Sequence, residues 1–216
     1  MLSNYFHSIR WPRVYAIFIG LGYPQSVSRL LTALTTHRCY MADPAIAELF
    51  SEQQCLLQER HLPQGAPSSP ALSNAALYHF DRRLSGLADS LGLVYSRYGD
   101  DLAFSGNVER DWRFLQPLIG SISLEQGLLL NYRKTRVMKS HQKQRLTGIV
   151  VNTKSNVDRK YYDTLKAILT NCSRYGVENQ NRDGHQDFCA YLKGSVPHVK
   201  SLNQMKGESL EIIYKR

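Results

Sequence analysis

Apolar positions recur at helical spacing over most of this chain, and the stretches that break the pattern carry its chemistry. Leu72, Ala76, Phe80, Leu84, Leu87 and Leu91 step by three or four. They form one apolar stripe of a helix predicted from about Pro70 to Leu91, with Asp81, Arg82 and Arg83 turned away. Helices are also predicted over 12–20 and 25–36, opened by Pro12 and Pro24, since proline fits a first turn whose N–H has no helical partner. Pro44–Leu57 has helical spacing, and Asp111–Gln126 reads as a further helix. From Asn156 onward Tyr161, Leu165, Ile168, Leu169 and Cys172 share a helical face. A polar break at Gly176–Gly184 precedes a helical stretch near 187–194, and the tail from Pro197 to Arg216 reads as short and mixed.

Strand signals are sparser. Tyr5–Ile9 reads as the end of a strand, Leu128–Leu130 and Thr135–Met138 as short strands, and Leu146–Val151 as a β-favouring run. Leu62–Pro70 holds three prolines and a glycine in nine residues, which makes it a loop. The β-favouring runs Leu91–Tyr95 and Leu102–Phe104 flank Tyr98-Gly99-Asp100-Asp101. Two such runs around a glycine predict a hairpin, with Gly99 supplying φ > 0 at the first central position of a type II′ turn. Adjacent aspartates at a hairpin tip repel one another, and a divalent cation would relieve that; oxygen-only ligands suit Mg²⁺. A solvated Asp-Asp turn is the plainer reading of those four residues taken alone.

Length and charge narrow the choice. The chain has 216 residues, ample for a core, with 43% hydrophobic and 21% charged residues, an ordinary globular mix. Its net charge is +9, divided +5 over residues 1–152 and +4 over 153–216, which favours a polyanionic partner. The four cysteines, Cys39, Cys55, Cys172 and Cys189, form no Cys-x-x-Cys pair; free thiols in a reducing cytoplasm are the default, and His185 with Cys189 reads as packing before a zinc half-site. Arg10 and Arg13 before Val14–Leu21 superficially resemble a signal peptide, but the segment lacks a cleavage site and reads as a buried helix. No apolar run approaches membrane-spanning length.

Five motifs in register give the chain a family resemblance. Leu62-Pro-Gln-Gly-Ala-Pro-Ser-Ser-Pro-Ala-Leu-Ser-Asn74 and Tyr98-Gly-Asp-Asp-Leu-Ala-Phe-Ser-Gly106 resemble bacterial reverse transcriptases of the retron type. Leu2–Ile9, Gly127–Arg136 and Leu146–Asn152 agree with the same family in order and spacing. The resemblance implies an α+β palm over residues 1–152, an antiparallel sheet with packed helices, and a small helical thumb over 153–216. It implies an RNA-directed DNA polymerase with two Mg²⁺ ions, dNTP substrates, a structured noncoding RNA as template and an RNA-linked DNA product. A role in defence against phage is implied too, with an effector protein unidentified.

Each motif then has an implied role beside a plainer one. Asp100 would ligate the metal with Asp101 as a second, weaker ligand, next to Tyr98. Gln64 and Gly65 match the loop at the nascent base pair, where glycine permits close backbone approach; an ordinary Pro-Gly turn is the alternative. Phe6 matches the steric gate that would crowd a ribose 2′-hydroxyl, and it reads equally as a core aromatic. Lys134 matches the basic residue near the triphosphate, placed to neutralise charge or protonate leaving pyrophosphate. It belongs to an acid-free basic run, Arg133, Lys134, Arg136, Lys139, Lys143 and Arg145, read as primer–template backbone contacts before a solvated face. Leu146-Thr147-Gly148 resembles the Val-Thr-Gly triplet implicated in recognising the enzyme's own RNA; without the family it is a buried strand. Lys154, Arg159, Lys160, Tyr161, Tyr162, Lys166 and Arg174 would grip an RNA stem by phosphates and shape, with one tyrosine in the core.

One part of the family pattern is absent. The first catalytic aspartate of the family would stand where Met1 stands, and no carboxylate occurs before Asp43. Thioether sulfur is a poor Mg²⁺ ligand, and the fingers segment that would precede this motif is missing. The expectation is therefore an N-terminally truncated chain with little polymerase activity, active once extended by a form carrying the aspartate. The alternatives are a non-catalytic RNA-binding remnant and, on the strength of Gly99, a viral RNA-dependent RNA polymerase. A group II intron enzyme fits less well because no maturase or endonuclease segment follows.

Overall fold

The computed structural model describes residues 1–38, 58–107 and 112–215. The predicted helix at Pro44–Leu57, Cys39, Cys55 and the helix start at Asp111 lie outside them. The chain divides into two compact units, Met1–Arg136 and Val137–Arg216. The hairpin at 145–150 therefore groups with the second unit, although the sequence division near 153 keeps it with the first.

The first unit begins with β1 (Leu2–Ser3), α1 (Trp11–Gly20) and α2 (Gln25–Thr35). Tyr5–Ile9 does not continue the strand: residues 4–8 are turn and bend, entered at Asn4 with φ 49°. The helix predicted over 70–91 is two, α3 (Ser69–Ala76) and α4 (Tyr78–Ser90), interrupted at Leu77 with φ −98° and ψ 11°. No glycine or proline marks the break. Ser73, Leu77, Phe80, Leu84 and Ala88 form the fully buried face, displaced slightly from the apolar stripe, whose Leu72, Ala76, Leu87 and Leu91 pack along its flank. Burying side chains of this size stabilises by roughly 1.5–3 kcal/mol each, and Leu2, Ile9, Val14, Leu62 and Leu128 complete that core.

Leu91 caps α4, so the next strand starts later than predicted. β2 (Val94–Tyr98) pairs antiparallel with β3 (Asp101–Ser105), and Tyr98 faces Asp101 across a two-residue loop. After a 3₁₀ turn at Trp112–Phe114 come α5 (Leu115–Glu125) and β4 (Leu129–Leu130), which pairs antiparallel with β1. Residues 135–138 form no strand, and Val137 and Met138 are exposed. The strands are antiparallel throughout, as two-stranded ladders in place of one continuous sheet.

The second unit opens with β5 (Arg145–Leu146) and β6 (Ile149–Val150), an antiparallel hairpin where a single buried strand was read. Three helices follow: α6 (Arg159–Tyr175), α7 (Phe188–Leu202) and α8 (Gln204–Tyr214). The tail is thus helical, and Pro197 lies inside α7. Leu165, Leu169, Leu192, Val196, Val199 and Leu210 make its core. Buried Gly207 lets α8 approach α7, because a Cβ there would overlap the backbone of Lys200.

Candidate active site

Gly99 and Asp100 form the tip between β2 and β3. Gly99 has φ +59° and Asp100 is not among the positive-φ residues, the sign pair of a type II′ turn. The tip is held from two sides. The backbone N–H of Leu2 donates to Asp100 O at 2.7 Å, and Asn131 N–H donates to Met1 O at 2.9 Å. Residue 1 therefore stands between the Asp100 turn and the strand leading to Lys134.

From the other side the tip is fixed by Arg97, a residue that sequence reasoning passed over. Its side chain is 6% exposed, and Nε and Nη2 donate to Asp81 Oδ1 and Oδ2 at 2.7 and 2.6 Å. Its Nη1 donates to Tyr5 Oη at 2.8 Å, Asn74 Oδ1 at 3.0 Å and Gly99 O at 3.1 Å. Tyr95 Oη also donates to Asp81 Oδ1 at 2.8 Å. Asp81 is thus no solvent-facing charge but the anchor of this network. The hydrogen bond from Arg97 to Asp81 holds the guanidinium firmly protonated. Burial, with the Asp81 carboxylate beside it, raises the Tyr95 phenol, and burial raises that of Tyr5. A bidentate pair this deep fixes geometry as well as energy. The available signal was an arginine at alternate-residue spacing from Tyr95, on the face of β2 that turns to α4.

Arg97 brings together three of the predicted motifs. Through Tyr5 it reaches the turn of Phe6, whose half-buried ring packs on the core and edge-on to Tyr5 at 5.0 Å. Through Asn74 it reaches α3, which follows the Gln64-Gly65 loop. That loop is ordered: Ser69 Oγ donates to Pro63 O at 2.6 Å, and Leu62 N–H donates to Ile9 O at 3.1 Å. Gly65 has φ +92° with open space around it, and Gln64 is exposed. Tyr98 is 76% exposed at the hairpin tip. Lys134 ends the short turn Tyr132–Lys134, where Asn131 Oδ1 accepts its backbone N–H at 3.3 Å; Arg133, Lys134 and Arg136 are all exposed.

The remaining predicted residues belong to the second unit. Leu146 is half-buried, and Thr147 and Gly148 form an exposed tip with φ 47° and 89°. Both signs are those of a type I′ turn. A β-branched residue at positive φ is strained by its Cβ, and such strain concentrates at functional positions. Lys139 and Lys160 are exposed, and the Arg159 side chain is 93% exposed, 3.5 Å from Asp163. Lys143 of the basic run is instead bound to Asp158, which holds that carboxyl below its usual range. Both Tyr161 and Tyr162 pack on the core, with Lys206 Nζ 4.8 Å above the Tyr162 ring. His185 stacks on Tyr191 at 4.1 Å, in keeping with packing.

Among the described residues no group of three His, Cys, Asp or Glu side chains forms a metal cluster. Asp100 and Asp101 are two carboxylates on one turn. They suit one Mg²⁺ completed by substrate phosphates, since Mg²⁺ is commonly held by one or two carboxylates with phosphate oxygens. A second ion would need another carboxylate, and among the described residues no third acidic side chain joins these two.

A family model described as "Reverse transcriptase (RNA-dependent DNA polymerase)" matches residues 2–158, well over half the chain. The chain belongs to the reverse transcriptase family. Its curated relatives include the retron Mx65 reverse transcriptase of Myxococcus xanthus, 35% identical over 219 residues, covering 97% of this chain and 47% of that protein. The retron Ec86 reverse transcriptase of Escherichia coli is 31% identical over 169 residues, covering 78% and 46%. The retron Mx162 reverse transcriptase of Myxococcus xanthus is 30% identical, covering 96% and 44%. This retron-type chain thus spans about half the length of the curated relatives it matches. No described helix is long and apolar enough to cross a membrane.

Proposed function

We propose that this reverse transcriptase chain carries the palm and thumb of an RNA-directed DNA polymerase of retron type, working on a structured noncoding RNA with dNTPs. The Asp100–Asp101 turn, tied by Arg97 through the Gly99 carbonyl to the turn of Phe6 and to α3, carries this reading: it joins the acidic turn to two further motifs of the family resemblance. Bound Mg²⁺ would polarise phosphate oxygens and lower the pKa of the primer 3′-hydroxyl. Asp100 would hold the cation, with Asp101 as a second, weaker ligand. The Phe6 ring crowds the sugar 2′ position, so deoxynucleotides are preferred. Gln64 and Gly65 offer their backbone to the nascent base pair. Lys134 neutralises triphosphate charge or donates the proton that pyrophosphate takes on leaving.

Arg133, Arg136 and Lys139 bind the nucleic-acid backbone electrostatically, and the strained Leu146-Thr147-Gly148 tip reads the RNA's shape together with Arg159 and Lys160. The division of labour places polymerisation in the palm and RNA retention in the thumb. Among the described residues the donor set holds two carboxylates, and the family resemblance puts the third that two-metal chemistry calls for at the position of Met1. Mg²⁺-dependent incorporation of dNTPs on a primed RNA tests this. The 216-residue chain is compared with an N-terminally extended form bearing aspartate at that position. Incorporation by the extended form alone is the expected result. Robust, Asp100-dependent incorporation by the 216-residue chain would show that two carboxylates suffice.

A further inference from the structure

Asp100 carries its carboxylate on a turn whose form the loop length leaves open. Two-residue hairpin loops take type I′ or type II′, and a glycine at the first central position suits both. The two forms differ by a flip of the central peptide, the one between Gly99 and Asp100. In type II′ only the first central residue has φ > 0; in type I′ the second has it too. Aspartate is among the residues that reach that region with least penalty. The flip would bring the Gly99 carbonyl oxygen towards the Asp100 Cβ and so re-aim the carboxylate. The turn is in its type II′ form, with Gly99 at φ +59° and Asp100 outside the positive-φ residues.

Both peptides that flank Asp100 are tied down. The one after it is held through Asp100 O, which accepts the Leu2 N–H at 2.7 Å. The one before it is held through Gly99 O, which accepts from Arg97 Nη1 at 3.1 Å. Arg97 is a rigid donor for that bond. Its Nε and Nη2 are committed to the two Asp81 oxygens at 2.7 and 2.6 Å. Nη1 also reaches Tyr5 Oη and Asn74 Oδ1 at 2.8 and 3.0 Å, and the side chain is 6% exposed. A planar fork fixed along one edge leaves its remaining N–H groups a single direction. The Asp81 carboxylate balances the guanidinium charge, so what Arg97 supplies to the turn is geometry.

We propose that Arg97 is a positioning residue for the cation: by holding the Gly99 carbonyl it keeps the acidic turn in its type II′ form, and so sets how tightly Asp100 and Asp101 bind the metal ion. This rests on the reading of Asp100 as the holder of that ion. Arg97 acts through the backbone, one peptide away from the carboxylate. Lysine in its place keeps the charge without the fork, and an ammonium that turns to Asp81 gives up the Gly99 carbonyl.

The test is nuclear magnetic resonance on the full 216-residue chain, on Arg97→Lys and on Tyr95→Phe, which removes a different hydrogen bond to Asp81. Mn²⁺ is the probe, since it takes the same oxygen ligands as Mg²⁺. Two signals are read. The contact between the amide protons of Gly99 and Asp100 is weak in type II′ and strong in type I′, because the flip turns the second proton towards the first. Broadening of the Asp100 and Asp101 resonances on titration with Mn²⁺ gives the affinity of the turn itself.

Arg97→Lys is expected to strengthen that contact and to weaken Mn²⁺ binding by about tenfold or more, the usual cost of losing a group that orients a metal ligand. Tyr95→Phe is expected to match the unsubstituted chain in both. An unchanged amide contact, or an unchanged Mn²⁺ affinity, in Arg97→Lys would overturn the proposal. Equal changes in Tyr95→Phe would overturn it too, by tracing them to a general loosening of the network. Asp81→Asn reads the same signals should Arg97→Lys fold poorly. A titration that leaves Asp100 and Asp101 sharp in the unsubstituted chain would overturn the cation reading itself, whereas the amide contact tests the hold of Arg97 on the turn with no metal present.

Discussion

At the scale of single residues, the acidic turn depends on a group outside the family motifs. Arg97 gathers Asp81, Tyr5, Asn74 and the Gly99 carbonyl in one cluster of hydrogen bonds. Asp81→Ala leaves a guanidinium that is 6% exposed without its bidentate partner. Breaking a buried pair from one side costs about 3–5 kcal/mol; with Asp81 partly exposed, about 3 kcal/mol is expected in the denaturant unfolding midpoint. A loss below about 1 kcal/mol, the range of surface pairs, would contradict the anchoring role. The acidic turn was legible because adjacent aspartates behind a glycine are chemically unusual, and the type II′ geometry followed from Gly99. Arg97 was not legible. A single arginine in a strand gives no sign that its partner lies on a helix sixteen residues earlier, and periodicity alone turned Asp81 towards solvent.

At the scale of elements, local patterns located most helices, with the first two within one residue of their ends and the later ones less closely bounded. The apolar stripe of residues 72–91 was visible, whereas the interruption at Leu77 carries no sequence mark. The run 146–151 has strand propensity, but its Thr147-Gly148 pair turns the chain back on itself. Thr147 stands at φ 47° despite its branched Cβ, a choice that propensity argues against. The tail from Pro197 onward was read as short and mixed, yet Val196, Val199 and Leu210 bury enough apolar surface to carry α7 through the proline. Pro197 is exposed and removes the N–H that would bond to Lys193. Pro197→Ala restores that bond and is expected to stabilise the protein by on the order of 2 kcal/mol. A matching rise in the urea midpoint checks this, and an unchanged or lower midpoint would mean the proline is accommodated without strain.

At the scale of the whole molecule, family membership was the most legible property, because five short motifs kept their order over residues 2–152. Folding connects those motifs by contacts at long sequence separation, and these were not legible. One such connection predicts a pH dependence. His7 and His61 have ring centroids 4.8 Å apart, and His37 and His61 are 4.6 Å apart. Burial, then the charges of His61 and His37, hold His7 below its usual pKa. The unfolded chain therefore binds more protons than the folded one as pH falls from about 6.5, and stability is lost through that window. Melting temperature is expected to fall between pH 7 and the depressed folded pKa, with a shallower fall in His7→Asn. Parallel curves for the two proteins would place the dependence elsewhere.

The central claim is that Asp100 holds the catalytic cation of an RNA-directed DNA polymerase. Its most direct test is single-turnover dNTP incorporation on a primed RNA by the extended form bearing aspartate at position 1, with and without Asp100→Asn. The account predicts that Asp100→Asn abolishes Mg²⁺-dependent incorporation while leaving RNA affinity within twofold or about that, because phosphate contacts by the basic residues supply binding. Incorporation at the unsubstituted rate by Asp100→Asn would contradict it.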